Sequence, residues 1–168
     1  MTRHPWRVLR ALAVASVAAA ALVSTAVVVP TANAQVPGPG QGLTGIRVGR
    51  HATYDRIVLD FRGPAPSSWH AAWVRSLTAD PSGKRVVLPG NAFLSVSAQP
   101  TSARDVSGRR TYPGPNSFRT PQLNNVRAVA VTGDFERVLS IGVGARHRGW
   151  VHVFRLAAPN RLVVDVGR

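Results

Sequence analysis

The 168-residue sequence predicts an all-β fold, a sandwich or barrel of about nine short strands, and three observations carry that prediction. From Leu43 onward, apolar residues alternate with polar ones at a period of two, as they do in a strand with one face against a core. No 11-residue window shows the three-to-four spacing of an amphipathic helix. Gly, Pro, Asn and Asp break the runs at short intervals, as turns between antiparallel neighbours do.

The first strands are expected at Leu43 to Arg50 and Tyr54 to Arg62, and the next at Trp69 to Leu77, Arg85 to Leu88 and Ala92 to Ala98. Pro81-Ser82-Gly83 and Pro89-Gly90-Asn91 separate the last three, supplying a fixed or positive φ that a strand cannot use. Val126 to Val131 and Phe135 to Gly144 flank a turn at Gly133-Asp134, and Trp150 to Leu156 and Arg161 to Val166 flank one at Pro159-Asn160. Arg56-Ile-Val-Leu-Asp-Phe61 is echoed by Arg161-Leu-Val-Val-Asp-Val166. Successive side chains in a strand face opposite ways. Ile57, Leu59, Phe61, Leu162, Val164 and Val166 are therefore expected in the core, with Arg56, Val58, Asp60, Arg161, Val163 and Asp165 on the outer face. Cross-strand ion pairing explains the charged half of the echo, at roughly 0.2–1 kcal/mol per pair.

The segment from Thr101 to Asn125 breaks the pattern: it is polar and interleaves Arg104, Arg109, Arg110 and Arg119 with Tyr112, Phe118 and several prolines. Connections longer than about 12–15 residues are uncommon in small domains and serve as binding loops or surface excursions. Arginine beside aromatic rings suits both anion pairing and sugar stacking. Trp69 and Trp73 share a strand face by parity and Trp150 opens a later strand, so the three read either as core or as a stacking platform.

The N-terminus has a different character. Arg3, Arg7 and Arg10 precede an uncharged stretch of small and apolar residues from Ala11 to Val29, Pro30 ends it, and Ala32-Asn33-Ala34 supplies a small-x-small cleavage signal. Residues 1–34 are expected to be a signal peptide, 35–42 a flexible Pro/Gly leader and 43–168 the folded domain, with no membrane anchor left after cleavage. There is no cysteine, which excludes disulfides, a lipid-modified cysteine and Cys-ligated metal. The chain beyond Ala34 carries 18 Lys and Arg against 7 acids, a formal +11 that attracts polyanions. For an exported protein these are wall polymers, peptidoglycan carboxylates and anionic lipids rather than nucleic acid.

Two stretches resemble a known family. Arg155-Leu-Ala-Ala-Pro159-Asn-Arg161-Leu-Val-Val-Asp165 is similar to the closing strand pattern of AMIN domains. Gly49-Arg50-His51-Ala-Thr-Tyr54-Asp55-Arg56-Ile-Val-Leu-Asp-Phe61-Arg-Gly63-Pro64, with Gly133-Asp134-Phe135-Glu136, resembles the AMIN-like relatives found in exported bacterial proteins and lipoproteins. The resemblance implies a two-sheet antiparallel β-sandwich that binds or localises to the cell wall, as AMIN domains target amidases and secretin systems to peptidoglycan. No amidase or secretin domain is expected after Arg168, and the lipobox cysteine of the lipoprotein relatives is missing.

Catalysis finds little support in the residue inventory. His51 and Asp55 lie four apart and Asp134 and Glu136 two apart, but no G-x-S-x-G turn occurs, and Asp60 and Asp165 are committed to the strand echo. His51, His147 and His152 lack the helical spacing of a metalloprotease site. The expectation is thus a non-catalytic envelope protein that binds peptidoglycan or an anionic wall polymer, with no metal and no cofactor. Its candidate ligand contacts are Arg50, His51, Arg109, Arg110, Tyr112 and Arg119. The second reading is an interaction module in which an edge strand or the long loop docks a partner envelope enzyme.

Overall fold

The computed structural model describes residues 42–168; the expected cleavage site at Ala34 lies outside them. In chain order the strands are β1 (Gly42–Arg50), β2 (Tyr54–Arg62), β3 (Ser68–Val74), β4 (Leu77–Thr78), β5 (Arg85–Val86) and β6 (Ala92–Gln99). Then follow β7 (Ser117–Arg119), β8 (Val126–Phe135), β9 (Val138–Ala145), β10 (Val151–Leu156) and β11 (Arg161–Gly167). Four strands form one sheet in the order β1-β2-β11-β10 and five form the other, β3-β6-β9-β8-β7, with every strand pair antiparallel. The expected two-sheet antiparallel sandwich is the fold observed.

Period-two patterning places the core between the sheets. On the four-stranded side Ile57, Leu59 and Phe61 of β2 lie beside Leu162, Val164 and Val166 of β11, and all six are buried as the echo requires. On the five-stranded side they meet Leu94 and Val96 of β6 and Leu139, Ile141 and Val143 of β9. Each such side chain contributes about 1.5–3 kcal/mol on burial, so the alternating strands hold the sheets together.

The structure corrects several expectations. Val163 and Asp165, assigned to an open outer face, are only 1% and 5% exposed. The reason is position: β11 lies between β2 and β10, and Arg56, Tyr54 and Phe154 of those neighbours stand over its outer side. The expected third strand divides into β3 and the short β4, which pairs with β5. That ribbon covers the far side of the five-stranded sheet, where Leu77 and Leu88 pack on Ala128 and Ala130 in a second, smaller core. Strand β5 ends at Val86, two residues short of the expected Leu88.

Gly133-Asp134 is not a turn. Both residues belong to β8, and the hairpin to β9 turns at Glu136-Arg137, with φ of 49° and 64°. A Cβ at Gly133 would meet Asp80 Cβ at 2.7 Å, so this glycine serves the close approach of a neighbouring chain segment rather than a reversal.

The long polar segment packs against the sandwich instead of leaving it. Strand β7 forms within it, and Ala103, Tyr112 and Leu123 join the main core. The Leu43 N–H donates to the Ser102 carbonyl at 2.9 Å, and Thr111 Oγ1 donates to the Leu43 carbonyl at 2.8 Å.

Candidate functional site

The candidate residues fall into separate groups. In the long segment, the Asp105 carboxylate accepts from the Ser107 hydroxyl at 2.6 Å and from the Ser107 and Arg109 N–H groups at 3.0 and 3.1 Å. It also bridges the Arg109 guanidinium at 3.0 Å, with Asp105 itself buried. A short polar side chain bonding the backbone two residues on is how Asp shapes a tight turn. Arg110 Nη2 donates to the Gly114 carbonyl at 2.6 Å and to Asn116 Oδ1 at 2.9 Å. Arg109, Arg110 and the unanticipated Arg62 line one shallow depression with Thr44 and Thr111.

Tyr112 corrects the expectation of a sugar-stacking ring in this loop. Its side chain is 4% exposed, lies in the main core, and carries the Arg110 guanidinium 5.6 Å from its ring centroid. Burial pushes its phenol pKa up, partly offset by Arg110. The ring is a support for Arg110. Arg119 stands on β7, beside a different depression lined by Val87 and Pro89.

Arg50 and His51 are at the other end of β1, since Gly42 pairs with Arg62 and Arg50 with Asp55. Eight strand steps separate the two groups, about 26 Å. This second end is built around a buried carboxylate. Asp55, fully buried, accepts the N–H groups of Asn124, Asn125 and Val126 at 3.2, 2.6 and 2.9 Å, tying β2 of one sheet to the start of β8 in the other. Asn125 extends the tie, its amide Nδ2 donating to the Gly167 carbonyl at 2.7 Å and to the His147 carbonyl at 3.2 Å. Trp73 Nε1 donates to the Gly149 carbonyl at 2.9 Å.

Aromatic rings collect beside this network. His51 stacks on Tyr54 with centroids 4.4 Å apart and planes 13° from parallel, and Tyr54 meets Trp150 at 5.7 Å. Arg56 lies between Tyr54 and Phe154, 5.3 and 5.5 Å from their centroids, and pairs with Asp165 at 2.7 Å. The expected cross-strand pairing is thereby realised for Arg56 and Asp165, while Asp60 turns to Arg47 of β1 at 2.6 Å rather than to Arg161 opposite it. The tryptophans divide: Trp69 and Trp73 pack on the main core, whereas Trp150 is 51% exposed.

The residues considered for catalysis have other tasks. Asp55 is enclosed by backbone N–H groups, and Asp134 accepts from Ser102 Oγ and the Ala103 N–H, each at 3.0 Å. Glu136 belongs to the β8-β9 turn. Among the described residues no three His, Asp or Glu side chains converge as metal ligands do.

A family model described as the AMIN-like domain matches residues 41–168, which includes every strand above. No curated protein and no solved structure matches the chain. With the model spanning the whole sandwich, from β1 through the Arg-Leu-Val-Val-Asp strand, the chain belongs to the AMIN-like domain family.

Proposed function

We propose that the protein is exported and binds peptidoglycan or an anionic wall polymer without catalysing a reaction. AMIN-like membership supports an envelope-associated module of a generally non-catalytic kind. The observation that carries the reading is the disposition of charge. Five of the seven acids, Asp55, Asp60, Asp105, Asp134 and Asp165, have their oxygens engaged by donors of the chain itself, while Arg50, Arg62, Arg104, Arg110 and Arg119 are exposed. The positive excess therefore faces solvent, where it meets a polyanion.

Arg109, Arg110 and Arg119, with Arg50 and His51 at the far end, are the proposed electrostatic contacts, and Tyr112 acts by seating Arg110. An exposed ion pair is worth about 0.2–1 kcal/mol, so single alanine substitutions should be nearly silent in a pull-down on purified cell wall. Replacing Arg109, Arg110 and Arg119 together should reduce retention at low salt several-fold, and because Arg109 also pairs with the buried Asp105 carboxylate, the pull-down is run well below the melting temperature of the variant. Wild-type binding should weaken steeply as salt rises. Salt-insensitive binding would favour instead an apolar interface with an envelope protein, for which Val87, Val106, Phe135 and Leu156 are the exposed large apolar side chains besides Trp150 among the described residues.

A further inference from the structure

The geometry points to a saccharide-stacking subsite at Trp150, on the end of the sandwich opposite Arg109 and Arg110, that takes the glycan strand of peptidoglycan rather than a phosphate-linked wall polymer. This rests on the wall-binding reading and chooses between its two ligands.

Trp150 is held flat by a glycine. A Cβ on Gly167 would meet Trp150 Nε1, Cδ1 and Cε2 at 2.3, 2.4 and 2.6 Å, and three ring atoms at nearly equal distance mean that the indole lies face-on against the Gly167 backbone. A side chain at 167 would displace it. One face of the indole is thus closed by backbone, while the residue as a whole remains 51% exposed. Tyr54 and His51 continue the aromatic surface from its edge.

The support is rigid. The Gly167 N–H donates to the Trp150 carbonyl at 2.8 Å, Asn125 holds the Gly167 carbonyl, and Trp73 holds the Gly149 carbonyl just before the platform. Asp55 fixes Asn125 in turn. A large exposed aromatic ring anchored on both flanks is preorganised for contact, so binding requires little ordering of the site.

The chemistry selects the occupant. A pyranose ring presents a face of C–H bonds, apolar and slightly positive, that matches the negative face of an indole. A polyol-phosphate chain has no ring to stack. Around the platform Arg50, His51, Arg146 and Arg148 are exposed, whereas Asp55 is buried and Asp165 is paired with Arg56. Such a rim receives carboxylates, which the stem peptides of peptidoglycan supply on alternate sugars of the glycan strand.

The test compares the exported protein with Trp150→Ala, Trp150→Phe and the Arg109, Arg110, Arg119 triple replacement. The probes are peptidoglycan stripped of attached polymers and soluble poly(glycerol phosphate). Trp150→Ala should bind stripped peptidoglycan about tenfold more weakly, while Trp150→Phe, which keeps an aromatic face, should lose about threefold or less. Neither should alter binding to poly(glycerol phosphate). Intrinsic fluorescence supplies a reading without a variant: glycan fragments should shift the wild-type emission, and Trp150→Phe should abolish the shift. Equal affinity of Trp150→Ala and wild type for stripped peptidoglycan would falsify the subsite while leaving wall binding intact. Wild-type binding to poly(glycerol phosphate) alone would also defeat the subsite and leave the anionic-polymer reading standing. Binding to neither probe nor to whole wall would end both.

Discussion

At the scale of single residues, Asp55 shows how one side chain joins two sheets. Its carboxylate is out of contact with water and accepts three backbone N–H groups at 2.6–3.2 Å, so its charge is solvated by peptide dipoles. Removing it strands those donors in the interior, each at roughly 1–3 kcal/mol. Asp55→Ala should therefore lower unfolding free energy by about 3–5 kcal/mol, measured by urea denaturation, and Asp55→Asn by less, because one amide oxygen remains to accept. A loss below about 1 kcal/mol for the alanine variant would mean that water replaces the carboxylate and that the tie is dispensable. Because Asn125 carries the tie on to Gly167, the same variant should also loosen the Trp150 platform. Parity with Ile57, Leu59 and Phe61 points Asp55 inward from the expected strand, but nothing in the local sequence names the donors that satisfy it there. Its partners are some 70 positions away, and only the closing of the two sheets makes it a buried acceptor.

At the scale of elements, the β8-β9 hairpin was the hardest to place from sequence. The Glu136-Arg137 turn puts two non-glycine residues at positive φ, as a type I′ turn requires, without the Asn-Gly pair that normally announces one. A left-handed residue other than Gly or Asn carries a steric penalty of roughly 1–2 kcal/mol. Glu136→Asn, at an exposed position, should recover part of it and stabilise the fold by about 0.5–1 kcal/mol, read as a rise of a few degrees in melting temperature. No rise would show that the glutamate itself supports the turn. The Gly133-Asp134 pair carried the stronger turn signal, yet the glycine is needed for the bridge to Asp80. The same limit applies to β9, whose run from Ile141 to Ala145 is wholly buried because the β4-β5 region covers its second face. Alternation predicts one buried face; a second layer supplied by residues 77–89 is invisible to it.

At the scale of the molecule, charge and export belong together. A formal +11 beyond Ala34, on a domain whose acids are mostly engaged by its own donors, leaves exposed arginines at both ends of the sandwich. Under the proposed export, such a surface meets the polyanions fixed in a cell wall. The exported protein should begin at Gln35, because Ala32 and Ala34 occupy the two small-residue positions before the cut. Intact mass of protein recovered outside the membrane decides this, and full-length chain in the membrane fraction would replace cleavage with an uncleaved anchor.

Strand periodicity, turn residues and the Arg-apolar-Val-apolar-Asp echo were sufficient to determine an all-β domain, the inward residues of β2 and β11, and, through resemblance, the AMIN-like family. These are local properties: the period-two rule depends only on the pleat of each strand. The candidate site divides along the same line. Arg109 and Arg110 were legible as exposed cations because charge and loop composition lie within one segment, and their shared depression with Arg62 follows from the pairing of Arg62 with Gly42. The fates of the aromatic residues were not legible. Tyr112 was buried by the packing of its own loop, Trp69 and Trp73 were drawn to the core, and Trp150 was left outside on Gly167. An aromatic side chain is apolar enough for the interior and flat enough for a ligand. Which of the two it serves depends on what lies against each face of the ring, and that is fixed only when residues more than a hundred positions apart, such as Tyr54 and Gly167, become neighbours across a sheet.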